Sequence, residues 1–428
     1  MKKILSVLCC VSLFALTACG GSTTPSSNSS TVNPHFPDGT IEDLSEYDIV
    51  EFDREKYMLP IWNDGGIAYA ETVMVVENSK GDIDPISLLY PAKQIVSVRS
   101  FGLDTLYKYG RDYTLTADGR LQIQVKGSIP VLEYERYRPK YDPVDSEQNK
   151  LLYGDRAEIM KEAVDGAKGI TEWQIAVTYK HTAPFMGKVP AGQKEKFPLT
   201  NAAIVTGEMR IGCIGDSISQ GWTASGFGEG ASGWTTGDQY VDLAPNMPPY
   251  FDLVVSSAKA NFSDAKIDCL NVARAGKTAD WPISDEEGKK ALKRLTDFDP
   301  HVIVLAFGMN DGVADCAMTY MDRMEANIKA IRNVCPNVEI LLVSSMPPNE
   351  GIIGWTGEKM GKYHRQYPAV LSTLANRYKG ITAIDMIELF DSVINVKAFR
   401  DLTSNNINHP NDYGHRLYAQ AVYHTIFE

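Results

Sequence analysis

The sequence predicts an α/β fold, a three-layer parallel sheet covered by helices on both faces, preceded by a smaller all-β sandwich of jelly-roll type. Three observations carry this prediction. Apolar runs alternate with amphipathic stretches from residue 204 onward, period-two runs crowd residues 41–203, and the first long apolar run of the later region stops on Gly215-Asp216-Ser217. Alternation of strand and helix patterns implies a parallel sheet, because each crossover lays a helix on a sheet face and buries the strands from both sides. Period-two runs instead imply strands with one face in a core.

In chain order, Lys2 and Lys3 precede an apolar run over residues 4–16, and Leu16-Thr17-Ala18-Cys19-Gly20 follows. A basic start, a short apolar centre and small residues at a break make a secretory signal, and the run is too short to span a bilayer. The cysteine at the break resembles a bacterial lipobox, which implies that Cys19 becomes the lipidated first residue of the mature protein. Residues 1–19 are therefore expected to be a signal peptide. Residues 20–40, rich in Ser, Thr, Gly and Asn, are expected to be a flexible tether. On this reading the protein is exported and anchored to a bacterial membrane, facing the cell exterior or the periplasm.

Within residues 41–203, strands are expected at 71–76, 95–98, 113–115, 121–125, 131–134 and 173–179. Asp118-Gly119, between two of them, tolerates the positive φ of a tight hairpin. One helix is expected over 150–167. Within residues 204–428, strands are expected at 211–215, 267–272, 302–307, 340–344 and 381–385. Met321, Met324, Ile328 and Ile331 recur at helical spacing and read as a core stripe; residues 413–427 form the closing helix. There is no internal repeat.

Bulk properties narrow the function. The apolar content of 44% and charged content of 22% are those of a globular protein. A net charge of −12 without a Lys/Arg stripe argues against nucleic acid as a partner. Of seven cysteines, Cys9 and Cys10 fall in the signal. Cys213, Cys269, Cys316 and Cys335 have neither zinc-site spacing nor a dense disulfide pattern, so no metal and no cofactor is expected. Nothing in the sequence bears on oligomeric state.

An ester or amide hydrolase needs a nucleophile, a base for its proton, and donors for the oxyanion. In open parallel sheets the reactive crevice lies outside the carboxyl ends of the strands. Ser217 stands at the end of the first strand of the sheet. Gly276, after the second, can offer an unobstructed N–H. Asn310, in Gly308-Met309-Asn310-Asp311 after the third, can point an amide into the same crevice. His409, in Asn408-His409-Pro410 before the last helix, is the candidate base. Asp216 reads as a turn brace, Asp311 as structural, and His415 as a surface or packing histidine.

Together, Gly-Asp-Ser after strand one, Gly276 after strand two, Gly-x-Asn-Asp after strand three and His-Pro near the end resemble the SGNH, or GDSL-type, hydrolase family over about residues 207–428. The resemblance implies a flavodoxin-like sheet, Ser217 as nucleophile and His409 as general base. It also implies an oxyanion hole made by the backbone N–H groups of Ser217 and Gly276 and the side chain of Asn310. There is one departure: the family usually has Asp three residues before the histidine, and here that position is Asn406. A Ser/His dyad is therefore expected, its imidazole oriented by Asn406, a backbone carbonyl, Asp401 or Asp412.

A β-sandwich ahead of such a domain in an exported chain is similar to two-domain carbohydrate acetylesterases, some of which work with a Ser/His dyad. That similarity implies an acetylated carbohydrate as substrate. Trp222, Trp234, Trp281 and Trp355 either stack on sugar rings or pack as ordinary core and loop residues. The alternatives are a lipase, arylesterase or thioesterase acting on less polar acyl esters, or a non-catalytic carbohydrate-binding lipoprotein.

Overall fold

The computed structural model describes residues 42–138, 151–153, 156–157, 170–227, 243–313, 316–349, 353–354 and 363–428. The expected signal peptide with Cys19, and the tether, lie outside them. No described helix is long and apolar enough to cross a membrane.

In the N-terminal region, strands β1 (Gly66–Met74), β2 (Gln94–Ser100), β3 (Tyr113–Leu115) and β4 (Leu121–Ile123) are followed by β5 (Leu151–Tyr153), β6 (Arg156–Ala157) and β7 (Gln174–His181). β1, β7 and β2 form an antiparallel sheet with β7 in the centre. The register sets Val73 opposite Ile175 and Val98 opposite Val177, so buried β-branched side chains pair across the strands. β3 and β4 form a hairpin that turns through Gly119 at φ 81°. A Cβ at Gly119 would sit 2.8 Å from the Ala92 backbone, which leaves room for glycine alone.

Two expectations fail in this region. Residues 131–134 make no strand: Leu132 forms a single bridge with Val76, and a helical turn, Tyr134–Tyr137, follows. The helix expected over 150–167 is replaced, where residues are described, by β5 and β6, which form a small sheet with β12 (Ile353–Gly354). A partner some two hundred positions away in the chain overrides the local helical pattern, as context commonly does for short segments.

The second region follows its expected strands closely. β8 (Glu208–Gly215), β9 (Lys266–Asn271), β10 (Val302–Ala306), β11 (Glu339–Val343) and β13 (Ile381–Ile384) form one parallel sheet in the order β13-β11-β10-β8-β9. Taken from the β9 edge, this is the flavodoxin-like order 2-1-3-4-5. Every residue of β10 and β11 is buried. Val302 and Val304 join the apolar cluster on one face with Leu253 and Leu417, while Ile303 and Leu305 join Leu295, Met324 and Ile328 on the other. Helices therefore cover both faces, and the methionine and isoleucine stripe lies in core.

The described residues belong to one compact unit. One apolar cluster contains Val73, Val98, Ile175 and Tyr179 of the antiparallel sheet together with Tyr413, Leu417 and Val422 of the helix Asp412–Phe427. The same helix also satisfies backbone groups of the N-terminal region. Arg416 donates to the carbonyls of Tyr57 (3.1 Å) and Tyr69 (2.6 Å), and Gln420 to those of Tyr57 and Leu59 (2.8 and 2.7 Å).

Candidate active site

In the sheet order, the chain winds one way from β8 to β9 and the other way from β10 onward, so the crevice between the ends of β8 and β10 is the topological switch point. β8 ends on Gly215, where a Cβ would come 2.4 Å from the Ala306 carbonyl oxygen and 2.6 Å from Ser219 Oγ. Glycine is required there because the two strand ends approach so closely. Asp216 then caps the short helix Ser217–Gln220, accepting from the N–H of Ile218 at 3.0 Å, as an N-cap residue does. Its other oxygen accepts from Met309 N at 3.3 Å and braces the β8 turn against the β10 turn. Burial pushes the Asp216 carboxyl up to about 7. The expected role of turn brace matches this placement.

Ser217 Oγ lies 2.8 Å from His409 Nε2, although the two residues are 192 positions apart. His409 sits on a loop closed by Thr403 opposite Pro410 and by Ser404 N donating to the His409 carbonyl at 3.1 Å. Burial, reinforced by neighbouring His415, lowers the His409 imidazole to about 4. The ring is therefore neutral at ordinary pH, the state a general base requires.

The ring nitrogen facing away from Ser217 meets Asn405, whose Nδ2 is 3.1 Å from His409 Nδ1. Asn406 is turned elsewhere: its Nδ2 donates to Tyr137 Oη at 3.2 Å, its carbonyl accepts from Asn349 at 2.8 Å, and its φ is 54°. Asp401 accepts from Met74 N at 2.8 Å, and Asp412 accepts from the N–H and hydroxyl of Ser225 at 2.8 and 2.7 Å. Neither aspartate is hydrogen-bonded to His409. His415 is fully buried and bonds the Trp222 carbonyl through Nε2 at 2.9 Å. It is a packing histidine beside the site.

The loops that carry the expected oxyanion donors are tied to the serine turn. Asn271, at the end of β9, donates to the Ser219 carbonyl at 2.7 Å, and Gln220 Oε1 accepts from Ala275 N at 2.7 Å. Gly276 follows at φ 72°, exposed, with open space where a Cβ would stand. Asn310 opens the turn after β10 and donates one amide hydrogen to the Lys277 carbonyl at 3.0 Å, and its second hydrogen meets no acceptor among the described residues. The neighbouring Asp311 accepts from Ala279 N through both oxygens at 3.1 Å, a structural placement. Trp222 is half-buried with its ring 5.5 Å from that of His409. Trp281 is buried in the core, and Trp234 and Trp355 lie outside the described residues. No group of three or more His, Cys, Asp or Glu side chains that could hold a metal occurs among the described residues.

Sequence reasoning missed two features. Asn405 is one, visible only as a member of an asparagine-rich run. The other is the support behind the histidine loop: Gln174 of β7 donates to the carbonyls of Arg400 and Thr403, each at 2.8 Å, and accepts from Asn411 at 3.1 Å.

Residues 213–417 match the model of the GDSL-like Lipase/Acylhydrolase family. No curated protein matches the chain. Among solved structures, a two-domain esterase (CEX) active on acetylated mannans, crystallised with mannopentaose, is 20% identical over 54% of this chain and 53% of its own, with a TM-score of 0.40. The match thus spans about half the length of that esterase. Axe2, an acetylxylan esterase from Geobacillus stearothermophilus, is 21% identical over 51% of this chain and 94% of its own, at a TM-score of 0.38. A lipase/acylhydrolase from Enterococcus faecalis is 18% identical over 50% and 93%, at 0.36.

Proposed function

We propose that this chain, whose residues 213–417 carry a GDSL-like lipase/acylhydrolase domain, is a serine esterase that removes O-acetyl groups from a polysaccharide or oligosaccharide. The observation that carries the reading is the 2.8 Å contact between Ser217 Oγ and His409 Nε2 at the switch point of the sheet. Ser217 Oγ attacks the ester carbonyl carbon and its proton passes to His409 Nε2. The oxyanion is held by the backbone N–H groups of Ser217 and Gly276 and by Asn310 Nδ2, and such donors contribute most when fixed before the reaction begins. The C–O bond to the sugar then breaks, and His409 returns the proton to the leaving hydroxyl. Water repeats the sequence on the acetyl-enzyme and regenerates Ser217.

The substrate class rests on the motif resemblance and on Trp222, whose half-buried face beside His409 suits stacking on a sugar ring. On the lipobox reading, Cys19 anchors the enzyme to a bacterial membrane with the active site facing outward or into the periplasm. Acetate release is measured across acetylated xylan, mannan, pectin and peptidoglycan, with Ser217→Ala alongside. The reading requires release by the wild type, none by the variant, and hydrolysis of nitrophenyl acetate far above that of the octanoate. A preference for octanoate points instead to a lipase. Silence on every ester, with no fluorophosphonate labelling, points to a binding protein.

A further inference from the structure

We infer that Asn405 is the positioning residue of the Ser217–His409 pair, and that it holds the imidazole in the tautomer carrying its proton on Nε2. The inference rests on the reading of Ser217 as nucleophile and His409 as base. Asn405 Oδ1 accepts from three consecutive backbone N–H groups, those of Ile407 (2.9 Å), Asn408 (3.1 Å) and His409 (3.2 Å). This fixes which end of the amide is which, because exchanging oxygen and nitrogen would set an NH2 group against three buried N–H donors. The NH2 end therefore points at the ring, 3.1 Å from His409 Nδ1, and reaches Asn408 Oδ1 at 3.1 Å with its other hydrogen.

A donor aimed at Nδ1 requires a lone pair there, and a neutral imidazole has one N–H, which must then be on Nε2. That proton points at Ser217 Oγ. His409 rests as a donor to the hydroxyl it must deprotonate. To act as base it must lose the Nε2 proton to solvent and take one up on Nδ1, giving up the Asn405 hydrogen bond, with no net change in protons. The Ser217 proton can then move to Nε2. In a Ser-His-Asp triad the aspartate accepts from Nδ1–H and favours the competent tautomer; an amide in its place selects the wrong one, at about 10⁴-fold in rate. The loop places the residue four before the histidine, not three, in that slot. The left-handed backbone of Asn406 and its bond to Thr403 Oγ1 at 3.1 Å turn Asn405 toward the ring.

Asn405→Asp tests this directly. The carboxylate keeps one oxygen for the three N–H groups and offers the other to Nδ1–H, while the Asn408 amide turns its NH2 toward it. Turnover of nitrophenyl acetate is expected to rise by about tenfold or more, a part of the about 10⁴-fold range between amide and acid, with KM little changed. The acid limb of the rate profile is expected to move to higher pH, since a carboxylate favours the imidazolium; His415, on the helix behind, is the titratable neighbour already acting on the ring. Independently of activity, the ¹⁵N spectrum of histidine-labelled wild-type protein is expected to show the His409 proton on Nε2. A proton on Nδ1, or no gain of turnover in a folded Asn405→Asp protein, overturns the inference. A wild type that hydrolyses no ester and takes no fluorophosphonate label overturns the esterase reading instead, and the spectrum still decides the tautomer.

Discussion

Lys397 Nζ is 2.5 Å from Glu71 Oε1, with both side chains fully buried. The pair joins β1 of the antiparallel sheet to the segment leading into the His409 loop. Glu71 also accepts from Leu89 N (2.8 Å) and Tyr179 Oη (2.6 Å), and Asp401 lies 3.5 Å from the same ammonium. Burial alone would lower the Lys397 ammonium, but the carboxylates of Glu71 and Asp401 raise it overall. Removing one partner strands the other in a dry interior, a loss of about 3–5 kcal/mol. Lys397→Met is expected to cost about that much in urea unfolding, while Lys397→Met with Glu71→Gln recovers part of it, because the second change removes the nearer of the two stranded carboxylates.

Gln174 braces the same loop without any charge. Gln174→Ala removes the donor that reaches the carbonyls of Arg400 and Thr403, and loss of a buried hydrogen-bond partner costs about 1–3 kcal/mol. Lower stability is expected, together with a fall in kcat, because His409 loses its fixed position. Binding of a non-hydrolysable substrate analogue should hold. Unfolding curves and steady-state rates separate the two effects.

The two outlying oxyanion donors of the proposed mechanism give opposite expectations. Asn310→Ala removes a side-chain donor and is expected to lower kcat by about 10²–10³-fold, the usual worth of one such group. Gly276→Ala keeps the backbone N–H and enters open space, so the strain of its positive φ, about 1 kcal/mol, is expected in stability and little of it in kcat. Comparing the two turnover numbers checks both assignments.

The rate profile is expected to extend far into acid. A base works deprotonated, so activity falls only as pH drops through the His409 value, lowered by burial and by His415 to about 4, well under the ordinary histidine value near 6.5. Wild-type kcat/KM should therefore stay level from about pH 8 to below pH 6, which initial rates on nitrophenyl acetate over that range will show.

The parallel sheet was legible because strands buried on both faces must be apolar throughout, and residues 302–306 are such a run. The failure at 150–167 has a long-range cause: Leu151 pairs with Gly354, and local pattern carries no trace of that partner; at 131–134 the run makes one bridge, Leu132 with Val76, before Tyr134 starts a helical turn. The serine turn and the histidine were visible as motifs. The neighbour of His409 was not, since choosing between Asn405 and Asn406 depends on one positive φ and one threonine hydroxyl. Gln174 and Lys397 were hidden for a simpler reason. Their partners are main-chain carbonyls and a glutamate 326 residues from the lysine.

The helix Asp412–Phe427 has a consequence for how the chain folds. Arg416 and Tyr57 are 359 positions apart, yet the carbonyl of Tyr57 has its donors on that helix. Contacts of such span form late, because a very long loop must close before they bring any gain. The Tyr69 carbonyl of β1 likewise takes its donor from Arg416, so the backbone of the antiparallel sheet is fully satisfied only once that helix has docked. The His409 loop lies just ahead of that helix and is tied to the same sheet through Gln174, so its final shape depends on sheet and helix meeting.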